Sequence, residues 1–178
     1  SADLNYRKKL WTPEKANQMM SKLMPYVDVA IGNEEDAEKV FGIKAGRTEV
    51  TSGRIDQEGY REVARQLVER FGFEQVAITL RESLSASDNN WSAMLYDGRA
   101  FYRSRVYKVH IVDRVGGGDS FAGGLIYGLL AGKAPQEALE FAVAASALKH
   151  SIFGDFNLVS AAEVEALAGG DASGRVQR

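Results

Sequence analysis

The sequence predicts an α/β protein with a mainly parallel sheet, flanking helices and one β-hairpin. Three observations predict it. Short apolar runs of strand length, at 27–31 and 75–80, alternate with longer stretches of helical period. Two strand-like stretches, 91–96 and 99–106, flank Asp97-Gly98, a favoured two-residue hairpin turn. Three consecutive glycines, Gly116, Gly117 and Gly118, follow a strand-like stretch and precede an apolar helix. Ligands of open α/β sheets bind just beyond the carboxyl ends of strands, at such a junction.

The elements follow in order. Residues 12–24 form a helix: Thr12 caps it, Pro13 suits its first position and Glu14 its first turn. The buried strand 27–31 lies between Pro25 and Gly32, and the short helix 34–41 stops at Gly42. Residues 43–54 read as a loop. The helix 56–71 places Val63, Leu67 and Phe71 on one face and ends at Gly72. The strand 75–80 and the hairpin come next, then an alternating strand at 107–112. The apolar helix 120–131 is small on one face through Ala122, Gly123 and Gly124, and Gly132 stops it. Pro135 opens a helix that runs to about His150, a last helix covers 160–167, and the tail 169–178 is polar and frayed.

Composition narrows the function. The 178 residues suit one domain with a sizeable core. A formal charge of -2 leaves no basic footprint for nucleic acid. Without cysteine there is neither a disulfide nor a thiolate metal site, and His110 and His150 are the only imidazoles. No apolar run reaches the roughly 18 residues of a membrane span, and residues 1–11 lack the apolar core of a signal peptide. The expectation is a cytoplasmic protein.

The glycine run carries the chemistry. Glycines bring bare N–H groups close to a ligand, and a helix starting there adds unpaired amides and the positive end of its dipole. The result is an anion site suited to phosphate. Asp119 at its mouth can take a proton from an attacking hydroxyl. An N-cap acid after a glycine turn uses the same residues. Three further segments offer polar groups. In Asp3-Leu4-Asn5-Tyr6-Arg7, alternate residues share a face if the chain is extended, and Arg7 suits a carboxylate or phosphate. Asn33 and Asp36, with Glu35 between them, follow a strand and can hold a hydrated Mg²⁺ through oxygen; acids there also favour a helix start. Thr79-Leu80-Arg81-Glu82-Ser83 follows another strand.

The stretch 112–130 resembles the second signature of the ribokinase-like (PfkB) carbohydrate kinases, with Arg114 where Thr or Ser is commoner. That variant, the D-x-N-x-R segment followed by Leu10-Trp11, and the Thr-Leu-Arg-Glu-Ser form are similar to the 2-keto-3-deoxygluconate kinase subgroup. The resemblance covers Asp3 to Asp155 and implies the C-terminal, nucleotide-binding part of a ribokinase-like domain over 1–178, with the N-terminal half and sugar lid missing. It implies ATP and Mg²⁺, phosphorylation of a sugar acid at its primary hydroxyl, and a homo-oligomer for the full-length protein. It makes Asp119 the catalytic base, also touching substrate. Gly116, Gly117 and Gly118 become the phosphate cradle, and Asn5, Tyr6, Arg7, Arg81 and Ser83 nucleotide contacts, with Arg7 near substrate too. Asn33 matches an N-x-x-E motif whose last position is Asp36 here; they organise metal and phosphate. Val143 and Ser146 line an adenine slot and Asp155 binds a sugar hydroxyl. Ribokinase or fructokinase specificity, and a nucleotide-binding half-domain without catalysis of its own, are the alternatives.

Overall fold

Branched and small apolar residues without helical period favour strands. In the computed structural model, which describes residues 1–44 and 57–170, β1 (Ala2–Asp3), β2 (Val29–Gly32) and β3 (Gln75–Ser83) run parallel. Ala2 pairs with Ala30, and Val29 with Gln75. Most of the expected loop 43–54, the first residue of the expected helix 56–71 and most of the tail lie outside the described residues. The chain separates into two units. Unit 1 is Ser1–Glu82 with Ala93–Arg103; unit 2 is Ser83–Ser92 with the described residues from Ser104 onward.

In unit 1, α1 (Pro13–Leu23) starts as its sequence dictates, with Thr12 Oγ1 accepting the Lys15 N–H at 3.3 Å. One 3₁₀ turn, Met24–Tyr26, leads into β2. The helix α2 (Glu34–Phe41) ends at left-handed Gly42, and α3 (Gln57–Phe71) turns Val63, Ala64 and Leu67 inward. These pack with Leu4, Val40, Val76 and Ile78 into one core. The strand β4 (Asp88–Tyr96) passes from unit 2 into unit 1, where it forms the hairpin with β5 (Phe101–Arg103). Tyr96 faces Phe101, so the connection spans residues 97–100 and is wider than the expected two-residue turn. The reason is local: the Asp97 carboxylate accepts the N–H groups of Arg99 and Ala100 at 2.9 and 2.7 Å and holds the wider loop.

In unit 2, the first half of β4 pairs antiparallel with β6 (Tyr107–His110), Asp88 opposite His110 and Trp91 opposite Tyr107. Two helices, α4 (Gly117–Leu130) and α5 (Pro135–Lys149), pack backbone to backbone. A Cβ on Gly124 would lie 3.0 Å from the Ala142 Cα, and one on Gly128 2.9 Å from the Ala138 Cα. The small face therefore runs through Gly124 and Gly128, and Gly123, expected on it, faces open space. The reciprocal pair Ser160 and Glu163 opens α6 (Ala161–Ala168), whose Val164 packs on Phe141, Ala144 and Ala145. Among the described residues no helix is long and apolar enough to cross a membrane.

Candidate active site

Two strand-to-helix junctions carry most of the residues the sequence singles out, one in each unit. In unit 2, the chain leaves β6 at His110 and enters α4 at Gly117. The helix begins three residues earlier than its apolar pattern suggests, because only Gly116 is left-handed (φ 77°). Gly117 and Gly118 are already helical, and Asp119 is the third helical residue.

The three glycines face different surroundings. A Cβ on Gly116 would strike the Asp155 carbonyl, and one on Gly117 would lie 2.8 Å from the His150 Cε1. A Cβ on Gly118 would meet nothing within 4 Å. The first two are glycine because protein packs against them; the third opens on space a ligand can fill. Their amides differ too. The Gly117 N–H turns back to the Arg114 carbonyl at 3.4 Å. The N–H groups of Gly118 and Asp119 have no acceptor among the described residues, and Gly116 has no side chain to cap them. Of the expected cradle, the Gly117 N–H is taken, while those of Gly116 and Gly118 have no acceptor among the described residues, and the Asp119 N–H joins them. Beside it the Asp119 side chain is exposed and accepts no hydrogen bond from a described residue.

A buried polar group of neighbours fixes this turn. Ser146 donates to the Gly117 carbonyl at 2.7 Å. The His150 Nδ1 lies 2.7 Å from the Ser146 carbonyl, which can only accept, so Nδ1 carries the proton. The His150 ring also packs at a tilt against Trp91, with 4.9 Å between centroids, and the His150 carbonyl accepts the Val112 N–H at 2.8 Å. Asp113 accepts the N–H groups of Val115 and Gly154 at 3.0 and 2.9 Å, and these bonds hold its carboxyl below the usual range. Arg114 reaches the Ala86 carbonyl at 2.6 Å. Val143 and Ser146 have no exposed surface, so neither lines an adenine slot. Val143 is in the core, and Ser146 braces the glycine turn. The side chains of Asp155 and Ser83 are exposed, and only the Asp155 carbonyl meets the glycine run. Sequence reasoning missed the bracing role of Asp113, Ser146 and His150. The available signal was polar residues at 146, 149 and 150, a spacing that shares one face of an alanine-rich helix.

In unit 1 the junction between β2 and α2 is closed. Asn33 Oδ1 accepts the Asp36 N–H at 2.9 Å, and Asp36 Oδ2 accepts the Asn33 N–H at 3.4 Å. Asp36 Oδ1 accepts the Tyr6 N–H at 2.9 Å. Asp36 is 6% exposed, and burial pushes its carboxyl above the ordinary range against these hydrogen bonds. The pair expected to hold Mg²⁺ is engaged here as a helix cap, each of its three oxygens accepting a backbone N–H. Glu35 pairs with Lys39 at 2.7 Å instead. Among the described residues no group of three or more His, Cys, Asp and Glu is placed to hold a metal ion. The first segment is not extended either. Asn5 has φ 36°, so Asp3, Asn5 and Arg7 do not share a strand face. Asn5 is exposed, and its N–H bonds the Asp3 carboxylate at 3.1 Å. The Tyr6 hydroxyl donates to the Trp11 carbonyl at 3.1 Å. Arg7 is exposed and donates to its neighbour's carbonyl, and Arg81 is exposed within electrostatic reach of Glu35.

Known proteins resemble most of the chain. A crystal structure of 2-dehydro-3-deoxygluconokinase from Thermotoga maritima is 50% identical, with TM-score 0.86 over 94% of this chain and 49% of that one. A 2-dehydro-3-deoxygalactonokinase of Haloferax volcanii is 33% identical over 96% of this chain and 47% of its own. A 5-dehydro-2-deoxygluconokinase of Halalkalibacterium halodurans is 30% identical over 93% of this chain and 45% of its own. The chain thus spans about half the length of the relatives it matches. The fold is ribokinase-like α/β. The pfkB carbohydrate kinase model matches residues 1–158, through both junctions and the glycine turn, and the chain belongs to the pfkB family of carbohydrate kinases.

Proposed function

We propose that this chain is the nucleotide-binding part of an ATP-dependent kinase that phosphorylates 2-keto-3-deoxygluconate at its primary hydroxyl. One observation carries the reading: the open N-terminus of α4, where the Gly118 and Asp119 amides lack acceptors among the described residues and stand beside an exposed carboxylate. The amides bind the migrating phosphoryl group as its charge redistributes. The substrate oxygen forms a bond to the γ-phosphorus while the bond to the bridging oxygen breaks, and ADP leaves with that electron pair. The hydroxyl proton passes to the Asp119 carboxylate. The loose character of such a transition state lets this proton move late.

The substrate class draws on the relatives. The Thermotoga and Haloferax proteins are named for keto-deoxy sugar acids, and Arg7 presents an exposed guanidinium that suits a carboxylate. The Halalkalibacterium relative supports a second reading, a 5-keto-2-deoxy acid. A substrate panel with ATP decides: 2-keto-3-deoxygluconate, its galactonate epimer, 5-keto-2-deoxygluconate, ribose and fructose. Preferential phosphorylation of 2-keto-3-deoxygluconate is expected. Equal or better turnover of the neutral sugars overturns the acid specificity, and AMP-PCP that fails to bind by calorimetry overturns the nucleotide site.

A further inference from the structure

The side chain of Lys149, near the end of α5, is fully buried, and the chemistry above does not use it. Its Nζ donates to the Ile152 carbonyl at 3.0 Å. Its Cε lies 3.2 Å from the place a Cβ on Gly116 would take. Its charge acts on Asp113, whose two carboxylate oxygens hold the Val115 N–H and the Gly154 N–H. One ammonium thus faces both the turn that enters α4 and the loop 152–155. A buried ammonium is costly unless carbonyls and an anion surround it, so the two loops are organised about this charge.

We infer that Lys149 is a positioning residue, an internal cation that ties the turn 113–116 to the loop 152–155 and so aims the Gly118 and Asp119 amides. The aim of the amides rests on the proposed function; the tie itself does not. Apolar packing alone explains a buried lysine stem equally well, so the test must move the charge and keep the stem.

The chain has no cysteine, which permits that test. Lys149→Cys, alkylated in the unfolded state with bromoethylamine and refolded, regains an ammonium on a stem of lysine length. Alkylation with iodoacetamide gives a neutral control, and Lys149→Met a second one. Unfolding temperature and AMP-PCP affinity are read for each. The neutral variants are expected to unfold about 10 °C lower than wild type. Their AMP-PCP affinity falls by up to about 100-fold, the scale of a small misplacement of binding groups. The aminoethylated chain recovers most of both. Neutral variants that match wild type, or an aminoethylated chain no better than the iodoacetamide control, overturn the inference. If the neutral chains do not refold, recovery of folding on aminoethylation is itself the readout, and its absence counts against the tie. Wild type that fails to bind AMP-PCP overturns the nucleotide reading, while the unfolding temperatures still decide the tie.

Discussion

The two strand-to-helix junctions place the same residue at the same helical position and treat it in opposite ways. Asp36 is the third residue of α2 and Asp119 the third residue of α4. Asp36 is buried, returns to the N-cap backbone and accepts the Tyr6 N–H. Asp119 is exposed, and among the described residues it accepts nothing and amides near it lack acceptors. The residue one turn earlier makes the difference. Asn33 supplies an oxygen that satisfies the Asp36 N–H and completes a reciprocal cap. Gly116 supplies none. A helix start closed by its own side chains is architecture; one left open is available to an anion.

The largest expected effect breaks this comparison at its open end. Asp119→Ala is expected to lower kinase turnover by about 10²–10⁴, the range for loss of a general base. Its unfolding free energy stays within about 0.5 kcal/mol of wild type, because an exposed side chain without partners is removed. AMP-PCP affinity changes little. A variant with full turnover sinks the assignment of Asp119 as base, and a large drop in stability would make the residue architectural like Asp36.

The sequence showed the elements of this contrast but not the contrast itself, because Asn33 and Asp36 read as a metal pair and not as a cap. Punctuation made α2 legible to the residue: the acids at its start and Gly42 at its end give the bounds 34–41. The start of α4 was misplaced because three glycines resemble a loop, although one left-handed residue suffices to turn the chain. The strand β1 is two residues long and ends before the unusual φ of Asn5, so no alternation announces it. The exposure of Asp119 does not follow from its place on a helix start, since Asp36 at the same place is buried. The buried contacts of Ser146, Lys149 and His150 do not follow from local pattern. They depend on how closely α5 approaches the turn, which Gly124 and Gly128 permit and which period alone does not reveal.

Smaller effects separate the glycines within the open junction. Gly117→Val is expected to destabilise unit 2 by about 1–3 kcal/mol, since the new side chain must displace the His150 ring. The obstacle at Gly117 is the His150 ring rather than a bound phosphate. Gly118→Ala is the sharper probe. Its Cβ meets no protein atom, and alanine favours a helix more than glycine by about 0.5–1 kcal/mol. Stability is therefore unchanged or slightly raised. The added methyl stands where a phosphate must approach, and AMP-PCP affinity is expected to fall about tenfold or more. Unchanged affinity by calorimetry would move the anion away from the Gly118 amide.

The smallest effect is read at the closed junction, from pH. Burial raises the folded-state pKa of Asp36 above its ordinary value of 3.8. The folded chain therefore holds this proton more tightly than the unfolded chain, and the contribution to stability falls as pH rises from 3.8 through the folded-state value. Asp113 has the opposite sign. Its pKa is held down by the Val115 and Gly154 N–H groups, so its contribution is present above 3.8 and lost as pH falls through the folded-state value. Asp36→Asn keeps an oxygen for the Tyr6 N–H and removes the titration. Relative to that variant, wild type is expected to lose unfolding temperature as pH rises from about 3.5 to about 6, in the span above the usual carboxylate pKa. Relative to Asp113→Asn it gains over the span below. The two slopes differ in sign because one carboxylate is enclosed with little water and the other is held open by two amides. Slopes of one sign would mean that Asp36 is stabilised as an anion, and the β2–α2 junction would then be as open to a cation as the α4 turn is to a phosphate.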